Sequence, residues 1–198
     1  MTYCPMTVKE QKQTLRRQMA QTLAGITAPQ QQAAGAAISQ TLHTLPAYQR
    51  AGCVFCYVGT GAEPNTRALL QQMLQEGKTV CIPLCEEKGV MTARKITDLA
   101  QLTPDAFGIP APCGTAPCIA PQEIDLILVP CVAVTPKGAR LGHGGGYYDR
   151  FLAAYSGTTA VLCFHAQLVA QLPQLVQDIP VDAIITEKEK ILLNRNLL

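Results

Sequence analysis

Short apolar segments alternate with polar segments along most of the chain. From Gly52 onward the apolar runs are rich in valine, isoleucine and cysteine, and they read CVFCYV (53–58), TVCIPL (79–84), DLILVPCVAV (125–134), TTAVLCF (158–164) and VDAIIT (181–186). Continuous apolar runs of this length are typical of strands that are buried on both faces of a sheet. The pattern therefore predicts a sheet whose strands are mostly parallel.

The segments before and between these runs have helical patterns. Thr7-Val8-Lys9-Glu10 has the form of a capping box and predicts a helix that continues to about Leu23. A second helix is predicted after Pro29, ending near Leu45-Pro46, and further helices are predicted over 65–75, 146–155 and 166–172.

Strands that alternate with helices predict an α/β fold, a three-layer sandwich with helices on both faces of the sheet. The length suits a single domain spanning residues 1–198. In such folds ligands bind outside the carboxyl ends of the strands. The proline-rich segment 102–122 is expected to be an irregular surface loop near that site.

The composition narrows the function classes. The chain has 198 residues, 48% of them hydrophobic, and its net charge of +2 comes from 16 basic and 14 acidic residues. Aromatic residues make up only 5%. Proteins that bind nucleic acid usually carry a strongly basic surface or stacking aromatics, so we expect no nucleic-acid partner. No run approaches the roughly 20 apolar residues of a membrane span, so we expect no membrane partner either.

The nine cysteines are an odd number, and the N-terminal segment lacks the pattern of an export signal. Several of them lie inside apolar runs, where a free cysteine behaves as a small buried hydrophobe. We therefore expect reduced thiols and a cytoplasmic protein. Cys53-x-x-Cys56 is a weak candidate for a zinc or redox motif, because positions three apart on a strand face opposite sides.

The most informative stretch is RLGHGGGYYDRF (140–151), which follows a buried strand and opens a helix. Glycines let the backbone approach an anion closely, and the N–H groups at a helix start point toward it. Four glycines in five positions exceed what a simple turn requires, although a tight turn without a ligand is the alternative. The glycine spacing matches neither a Rossmann nor a Walker A loop. Asp149 suits either stabilisation of the helix N-terminus or coordination of magnesium held by phosphates.

The string RLGHGGGYYDRF, preceded by DLILVPCVAVTPKG, resembles the signature of the 5-formyltetrahydrofolate cyclo-ligases, also called methenyltetrahydrofolate synthetases. The resemblance extends over nearly the whole chain, because K-x-x-x-R, Y-x-x-x-x-x-E, G-K-x-V-x-x-P, I-P-x-P and a terminal V-D follow in the family's order. It implies a fold similar to that of the sugar-phosphate isomerase and coenzyme A transferase group.

The resemblance also implies an enzyme that uses ATP and magnesium to convert 5-formyltetrahydrofolate to 5,10-methenyltetrahydrofolate, with release of ADP and phosphate. In that reaction the formyl oxygen is phosphorylated and N10 attacks the formyl carbon. The oxygen then leaves as part of the released phosphate. The protein mainly positions two substrates and neutralises phosphate charge. We therefore expect small-molecule partners, ATP and a reduced folate, and a chain that is a monomer or a weak homo-oligomer.

For the nucleotide, the resemblance implies a basic pair on the first helix, Lys12 and Arg16, whose one-turn spacing lets both reach one phosphate group. It implies catalytic roles for Tyr148 and Asp149, and a magnesium ion held by Asp149 and Asp182. From the residues alone, the basic pair also suits a solvated helix face and Asp182 a strand-end cap. The other ATP-binding positions that the resemblance implies are Arg140, Gly142, His143, Gly144, Gly145, Gly146, Tyr147 and Tyr148.

For the folate, the resemblance implies that Glu63 accepts hydrogen bonds from the N–H groups of the pterin. It also implies that Tyr57, Met91 and Phe107 form apolar walls for the planar rings. From the residues alone, Glu63 is equally an ordinary loop carboxylate, and the other three are equally core residues.

The sequence departs from the family pattern at two loop positions. Many members carry Arg or Tyr where His143 stands, and some carry Lys where Gly145 stands. A cationic phosphate contact is then missing, because an unperturbed histidine is mostly neutral at neutral pH. A noncatalytic nucleotide- or folate-binding regulatory protein of the same fold is therefore the main alternative, and a different ATP-dependent ligase or kinase is the third hypothesis.

Overall fold

An eight-stranded sheet forms the centre of the structure, a computed structural model that describes residues 6–86, 89–105 and 108–194. The strands are β1 (Cys53–Cys56), β2 (Thr79–Cys85), β3 (Met91–Ile96), β4 (Thr103–Pro104), β5 (Pro110–Ala111), β6 (Cys118–Ile119), β7 (Leu126–Val129), β8 (Ala133–Val134), β9 (Arg140–Leu141), β10 (Thr158–Leu162), β11 (Ala183–Ile185) and β12 (Lys190–Leu192). The strand order in the sheet is β12-β11-β10-β7-β1-β2-β3-β6, and β4-β5 and β8-β9 form two small hairpins.

The central part of the sheet is parallel and its edges are antiparallel. From β11 through β10, β7 and β1 to β2, every neighbouring pair runs parallel. Strand β12 at one edge, and β3 and β6 at the other, run antiparallel to their neighbours. All five predicted apolar runs contribute a strand to this sheet, and the prediction of a mostly parallel sheet is confirmed.

Helices cover both faces of the sheet. They are α1 (Val8–Leu23), α2 (Ala28–His43), α3 (Pro46–Arg50), α4 (Arg67–Gln75) and α5 (Tyr147–Leu152). α2, α3 and α4 pack on one face, where Ile38 of α2 joins a cluster with Val54 and Leu128 of the strands. α5 packs on the opposite face, where Phe151 stacks on Phe55 with ring centres 5.0 Å apart. The predicted three-layer α/β sandwich is confirmed.

Two predictions from local sequence patterns are confirmed. They are the start of the first helix and the opposite-facing side chains of Cys53 and Cys56. The N–H of Thr7 donates to Oε2 of Glu10 at 2.8 Å, and the N–H of Glu10 donates to Oγ1 of Thr7 at 3.3 Å, so the capping box is formed. Cys53 and Cys56 belong to clusters on opposite faces of the sheet, so they do not form a chelating pair. Among the described helices, none is long and apolar enough to cross a membrane.

The helix predicted over 166–172 is wrong. The chain makes one 3₁₀ turn, His165–Gln167, and is then extended, because the N–H of Val169 donates to the carbonyl of Val134 at 2.9 Å. This bond adds the segment to the β8-β9 hairpin instead of closing a helical turn.

The run over 125–134 is also not one strand. It leaves the sheet after Val129, because Pro130 has no N–H to continue the ladder, and residues 133–134 form β8 of a separate hairpin. Strands β3 and β12 were not predicted, and the segment 102–122 contains three short strands rather than only irregular loop.

The carboxyl ends of the parallel strands meet at one edge of the sheet. The loop 57–66 follows β1, the turn to β3 follows β2, and the β8-β9 hairpin after β7 leads into the glycine loop 142–146. Residues of these three connections and their flanking strands line a cleft, at the edge where the general rule for parallel sheets predicts a ligand site.

Candidate active site

A cleft of about 910 Å³ lies at the carboxyl edge of the sheet. Its walls come from α1, the loop 57–66, the β2-β3 hairpin, the glycine loop and the segment 175–179. The volume lies near the upper end of the range typical of small-molecule sites, so the cleft has room for more than a small metabolite.

The structure brings most of the predicted site residues together at this cleft. Phe107 lies outside the described residues, and Asp182 does not line the cleft. The predicted residues that do line it are Lys12, Arg16, Tyr57, Glu63, Met91, Arg140, Gly142, His143, Gly144, Gly145, Gly146, Tyr147, Tyr148 and Asp149.

The glycine loop depends on positive backbone φ angles. Gly144 has φ +111° and Gly146, the N-cap of α5, has φ +67°, a region that side chains rarely adopt. Nε of Arg16 donates to the carbonyl of Gly142 at 2.8 Å, so α1 fixes the start of the loop. Because α5 has only six residues, the cations around the loop contribute more of its positive potential than the helix dipole does.

Two cations at the cleft are each paired with a carboxylate. Nζ of Lys12 donates to Oδ2 of Asp178 at 2.5 Å, and both side chains are nearly buried. Nη2 of Arg140 donates to Oδ1 of Asp149 at 2.7 Å. Each pair places an acidic oxygen beside a cation at the same cleft, the arrangement that a phosphate with its counter-ion requires.

Two buried donors at the cleft have no partner among the described residues. They are Nε of Arg140 and the hydroxyl of Tyr148. Burial raises the pKa of Tyr148 well above its usual value, so the hydroxyl keeps its proton. An unpaired buried donor costs about 1–3 kcal/mol, so both groups retain hydrogen-bonding capacity that the described residues do not use.

Asp182, which the resemblance implied as a magnesium ligand, does not line the cleft. Asp182 precedes β11, at the edge where the parallel strands begin, and its Oδ2 accepts from the N–H and the hydroxyl of Thr159, both at 2.9 Å. It is the strand-end cap that the sequence left open as an alternative. The rule that ligands bind at the carboxyl ends of strands would have excluded this residue.

Asp178 is a cleft carboxylate that sequence reasoning missed. It accepts from Lys12 and from the N–H of Leu175 at 2.8 Å, which fixes the segment 175–179 against α1. No local motif marks Asp178, because its partner lies 166 positions away in the sequence.

Glu63 lies on the other side of the cleft. Its Oε2 accepts from the N–H of Thr60 at 3.0 Å, and its side chain is 14% exposed. Burial raises the pKa of Glu63 to about 6, although the Thr60 hydrogen bonds oppose the shift. The carboxylate is therefore mostly ionised at neutral pH and retains acceptor capacity for a ligand.

His143 lies between the two halves of the cleft. Its Nε2 is 3.8 Å from Oε1 of Glu63, and its side chain is 64% exposed. Partial burial by the cleft walls, together with the positive charges of Arg16 and Arg140, lowers the pKa of His143. The imidazole is thus neutral at neutral pH and does not replace the cation that many family members carry at this position.

Tyr57 and Met91 are both core residues and cleft walls. Tyr57 is 3% exposed, and its hydroxyl donates to the carbonyl of Leu162 at 3.1 Å. Met91 begins β3 and packs in the same cluster as α5. A place in the core and a place in the cleft wall, the two alternatives that the sequence left open for these residues, are therefore compatible.

The described residues contain no group of three or more His, Cys, Asp or Glu side chains that could hold a metal ion. A metal at this cleft would need a few carboxylates together with oxygens from a substrate. That is how Mg²⁺ is commonly bound beside phosphates.

Comparisons with known proteins identify the family of this chain. Residues 8–187 match the model of the 5-formyltetrahydrofolate cyclo-ligase family. A probable 5-formyltetrahydrofolate cyclo-ligase of Schizosaccharomyces pombe is 32% identical over 76% of this chain and 81% of its own. A 5-formyltetrahydrofolate cyclo-ligase of Haemophilus influenzae is 29% identical over 86% of this chain and 95% of its own.

Two solved structures that are similar to this chain are methenyltetrahydrofolate synthetases. The 5,10-methenyltetrahydrofolate synthetase of Aquifex aeolicus has a TM-score of 0.83 and 29% identity, covering 92% of this chain and 93% of its own. A synthetase from Mycoplasma pneumoniae, at 18% identity and a TM-score of 0.73, shares the fold over 89% of this chain and 98% of its own. With its sequence matched over nearly its whole length, this chain belongs to the 5-formyltetrahydrofolate cyclo-ligase family.

Proposed function

We propose that this protein catalyses the ATP-dependent conversion of 5-formyltetrahydrofolate to 5,10-methenyltetrahydrofolate, with release of ADP and phosphate. The observation that carries the proposal is that one cleft joins a glycine loop surrounded by cations to an apolar wall with a buried carboxylate acceptor. The first half suits a triphosphate and the second a pterin. Their union in one cavity supports a direct reaction between the two substrates.

The reaction follows from the chemistry of the formyl group. The formyl oxygen attacks the γ-phosphorus, so an O–P bond forms, the bond to the β-phosphate oxygen breaks and ADP leaves. N10 then attacks the formyl carbon, forming a C–N bond and losing its proton. The C–O bond finally breaks, phosphate leaves, and the methenyl product carries the positive charge.

The cations of the cleft are assigned to the phosphates. Lys12, Arg16 and Arg140 neutralise phosphate charge as it moves from ATP to the formyl oxygen, and the backbone of residues 142–146, followed by Tyr147, encloses the phosphates. Tyr148 has the catalytic role of hydrogen-bond donor to the oxygen that is being phosphorylated. Its unpaired, protonated hydroxyl supports this assignment.

The nucleotide is ATP in complex with Mg²⁺, and the cleft residues fit such an ion. Asp149 and Asp178 would hold it, because both are hard oxygen donors beside the phosphate cations and one or two carboxylates are what Mg²⁺ usually takes from a protein. The ion supplies further neutralisation of phosphate charge. If Asp149 held the ion, Nη2 of Arg140 would be free for a phosphate oxygen.

The folate is assigned to the opposite wall. Glu63 accepts hydrogen bonds from the pterin N–H groups, and Tyr57 and Met91 contact the flat rings. Phe107 stays a prediction for the same wall, since it lies outside the described residues. The exposed Ile109 lines the mouth of the cleft and supports a route for the rest of the folate along this side.

We place the protein in the cytoplasm with two small-molecule partners. Its eight described cysteines are free, including Cys53 and Cys81, whose Sγ atoms are 3.8 Å apart. Two thiols at this distance are expected to stay reduced in a compartment that contains glutathione.

The test is absorbance at the methenyl-folate band, with purified protein, 5-formyltetrahydrofolate and Mg²⁺, in the presence and absence of ATP. We expect the band to grow only with ATP, with one ADP released for each product. A flat trace with ATP or folate binding still measurable by calorimetry would support the noncatalytic regulator instead. ADP release without the band would indicate a different phosphoryl acceptor.

A further inference from the structure

Arg150 connects the glycine loop to the turn between β2 and β3. Its Nη2 donates to the carbonyl of Gly145 at 2.6 Å, and its Nε donates to the carbonyl of Gly89 at 2.9 Å. The guanidinium also lies over the ring of Tyr147, with Cζ 5.6 Å from the ring centre. One side chain thus bonds two segments that are 56 residues apart in the sequence and form two different walls of the cleft.

The backbone on both sides leaves space for this guanidinium. Gly89 has φ +78° and Gly146 has φ +67°. A Cβ atom on Gly89 would overlap Nη2 of Arg150, and one on Gly146 would lie 2.8 Å from Nη1. Side chains at either glycine would therefore displace the arginine from its two carbonyl partners.

We propose that Arg150 is a positioning residue that sets the distance between the phosphate-binding loop and the folate wall. Gly145 lies in the loop assigned to the phosphates, and Gly89 leads directly into Met91, which is assigned to the folate. This inference rests on the proposed function, because it concerns how the two substrates of that reaction are aligned.

Alignment matters more for this reaction than affinity for either substrate. The formyl oxygen must reach the γ-phosphorus in line with the leaving oxygen, and a misplacement of about 1 Å can lower a rate by roughly 100-fold. Arg150 lines the cleft, and its guanidinium also bonds one backbone carbonyl in the glycine loop and one in the turn between β2 and β3. Its loss should therefore leave each subsite able to bind its own substrate while the two reacting atoms are no longer aligned.

A purely structural role would have a different signature. Arg150 is exposed, and exposed polar contacts contribute little to the free energy of unfolding. Removing the side chain should therefore change the melting temperature only slightly. A positioning residue should lower turnover strongly when it is removed while the melting temperature changes little. A residue that only stabilises the fold should lower both together.

The experiment compares Arg150→Ala and Arg150→Lys with the control Arg50→Ala, an exposed arginine at the end of α3 near the opposite edge of the sheet. We expect kcat of Arg150→Ala to fall by about 100-fold, with the KM values for ATP and folate nearly unchanged. Arg150→Lys should also be impaired, because one ammonium lacks the planar fork that reaches two carbonyls. Millimolar guanidinium ion should restore part of the activity of Arg150→Ala and leave Arg50→Ala unchanged.

The proposal is overturned if kcat of Arg150→Ala stays near that of the unaltered protein, if kcat falls only as far as the folded fraction falls, or if guanidinium restores nothing. A second readout separates this inference from the proposed function. In Arg150→Ala, but not in Arg50→Ala, hydrogen exchange at the amides of residues 144–147 and 91–93 should be faster. Unchanged exchange would overturn the link even if the unaltered protein makes product, and faster exchange would support it even if no product forms.

Discussion

Carboxylates at the two edges of the central sheet have opposite surroundings. At the edge where the parallel strands begin, Oδ2 of Asp125 accepts from the N–H groups of Gly52 and Cys53, both at 2.8 Å. Asp182 accepts from Thr159 of the neighbouring strand in the same manner. Both carboxylates thus connect neighbouring segments of the sheet through backbone N–H groups, and Asp182 also accepts from the hydroxyl of Thr159.

At the edge where the strands end, two carboxylates are also paired with side chains, and these partners can be exchanged. Asp149 and Asp178 are paired with the side chains of Arg140 and Lys12, which can turn to a phosphate. Glu63 keeps an acceptor oxygen toward the cleft. The comparison teaches that an acidic residue next to a strand is not a functional signal by itself. Its position at the beginning or end of the strand decides which donors it meets.

The largest effect on turnover should come from removing a carboxylate at the edge where the parallel strands end. Asp149→Asn keeps an acceptor for Arg140 but removes the charge that Mg²⁺ requires. We expect kcat to fall on the order of 100- to 1,000-fold, the scale seen when one charge-stabilising group of an active site is lost. The measurement is methenyl-folate formation over a range of Mg²⁺ concentrations, with circular dichroism as the check on folding. Turnover near the normal rate would refute the metal assignment.

The matched change at the opposite edge should affect stability instead. Asp182→Ala removes the acceptor for both Thr159 donors, and the loss should be about 2 kcal/mol of unfolding free energy. The melting temperature should then fall by about 5 °C, while kcat and KM well below that temperature stay unchanged. Calorimetric melting and steady-state kinetics on the same preparation provide the test. A loss of turnover in the fully folded variant would contradict the contrast between the edges.

Lowering the pH should weaken folate binding at the cleft, because it protonates Glu63. Burial raises the pKa of Glu63 to about 6, so the carboxylate acceptor is present above this pH and is lost as the pH falls through it. The folate dissociation constant, measured by calorimetry without ATP, should rise about tenfold between pH 7 and pH 5. Glu63→Gln should bind more weakly and without this pH dependence. An identical pH profile in the variant would remove Glu63 from the folate site.

The smallest effect is expected at His143. Its pKa is lowered by partial burial and by Arg16 and Arg140, so at pH 7.5 the imidazole is neutral and adds no charge to the phosphate site. His143→Gln should therefore leave the KM for ATP essentially unchanged at that pH. Initial rates over a range of ATP concentrations test this, and a marked rise in KM would indicate that bound phosphate protonates the histidine.

The fold was predictable because it depends on local spacing, since buried strands have continuous apolar runs. Lys12 and Arg16 came from the resemblance, because their one-turn spacing alone also suits a solvated helix face, and the structure places both at the cleft. Strand β3 was missed because its sequence, MTARKI, mixes apolar and basic residues, as an antiparallel strand near a sheet edge can. Its burial comes from neighbours on both sides, which no short pattern records.

Long-range pairing explains why Asp178 was not predicted at the cleft. Asp182 follows a recognisable strand-start pattern, whereas Asp178 is marked only by its ion pair with Lys12 in the folded chain. The link made by Arg150 is of the same kind, since Gly89 and Gly145 become neighbours only after β3 and α5 have packed together.

The ion pair between Lys12 and Asp178 has a thermodynamic consequence for the free protein. An anion that takes Lys12 leaves a nearly buried carboxylate without its counter-charge, which opposes binding. A divalent cation at Asp178 removes that opposition, and by linkage the anion strengthens binding of the cation by the same factor. Asp178 thus competes with an incoming anion for Lys12. We expect it to reject bare phosphate and to select a polyphosphate that arrives together with its metal.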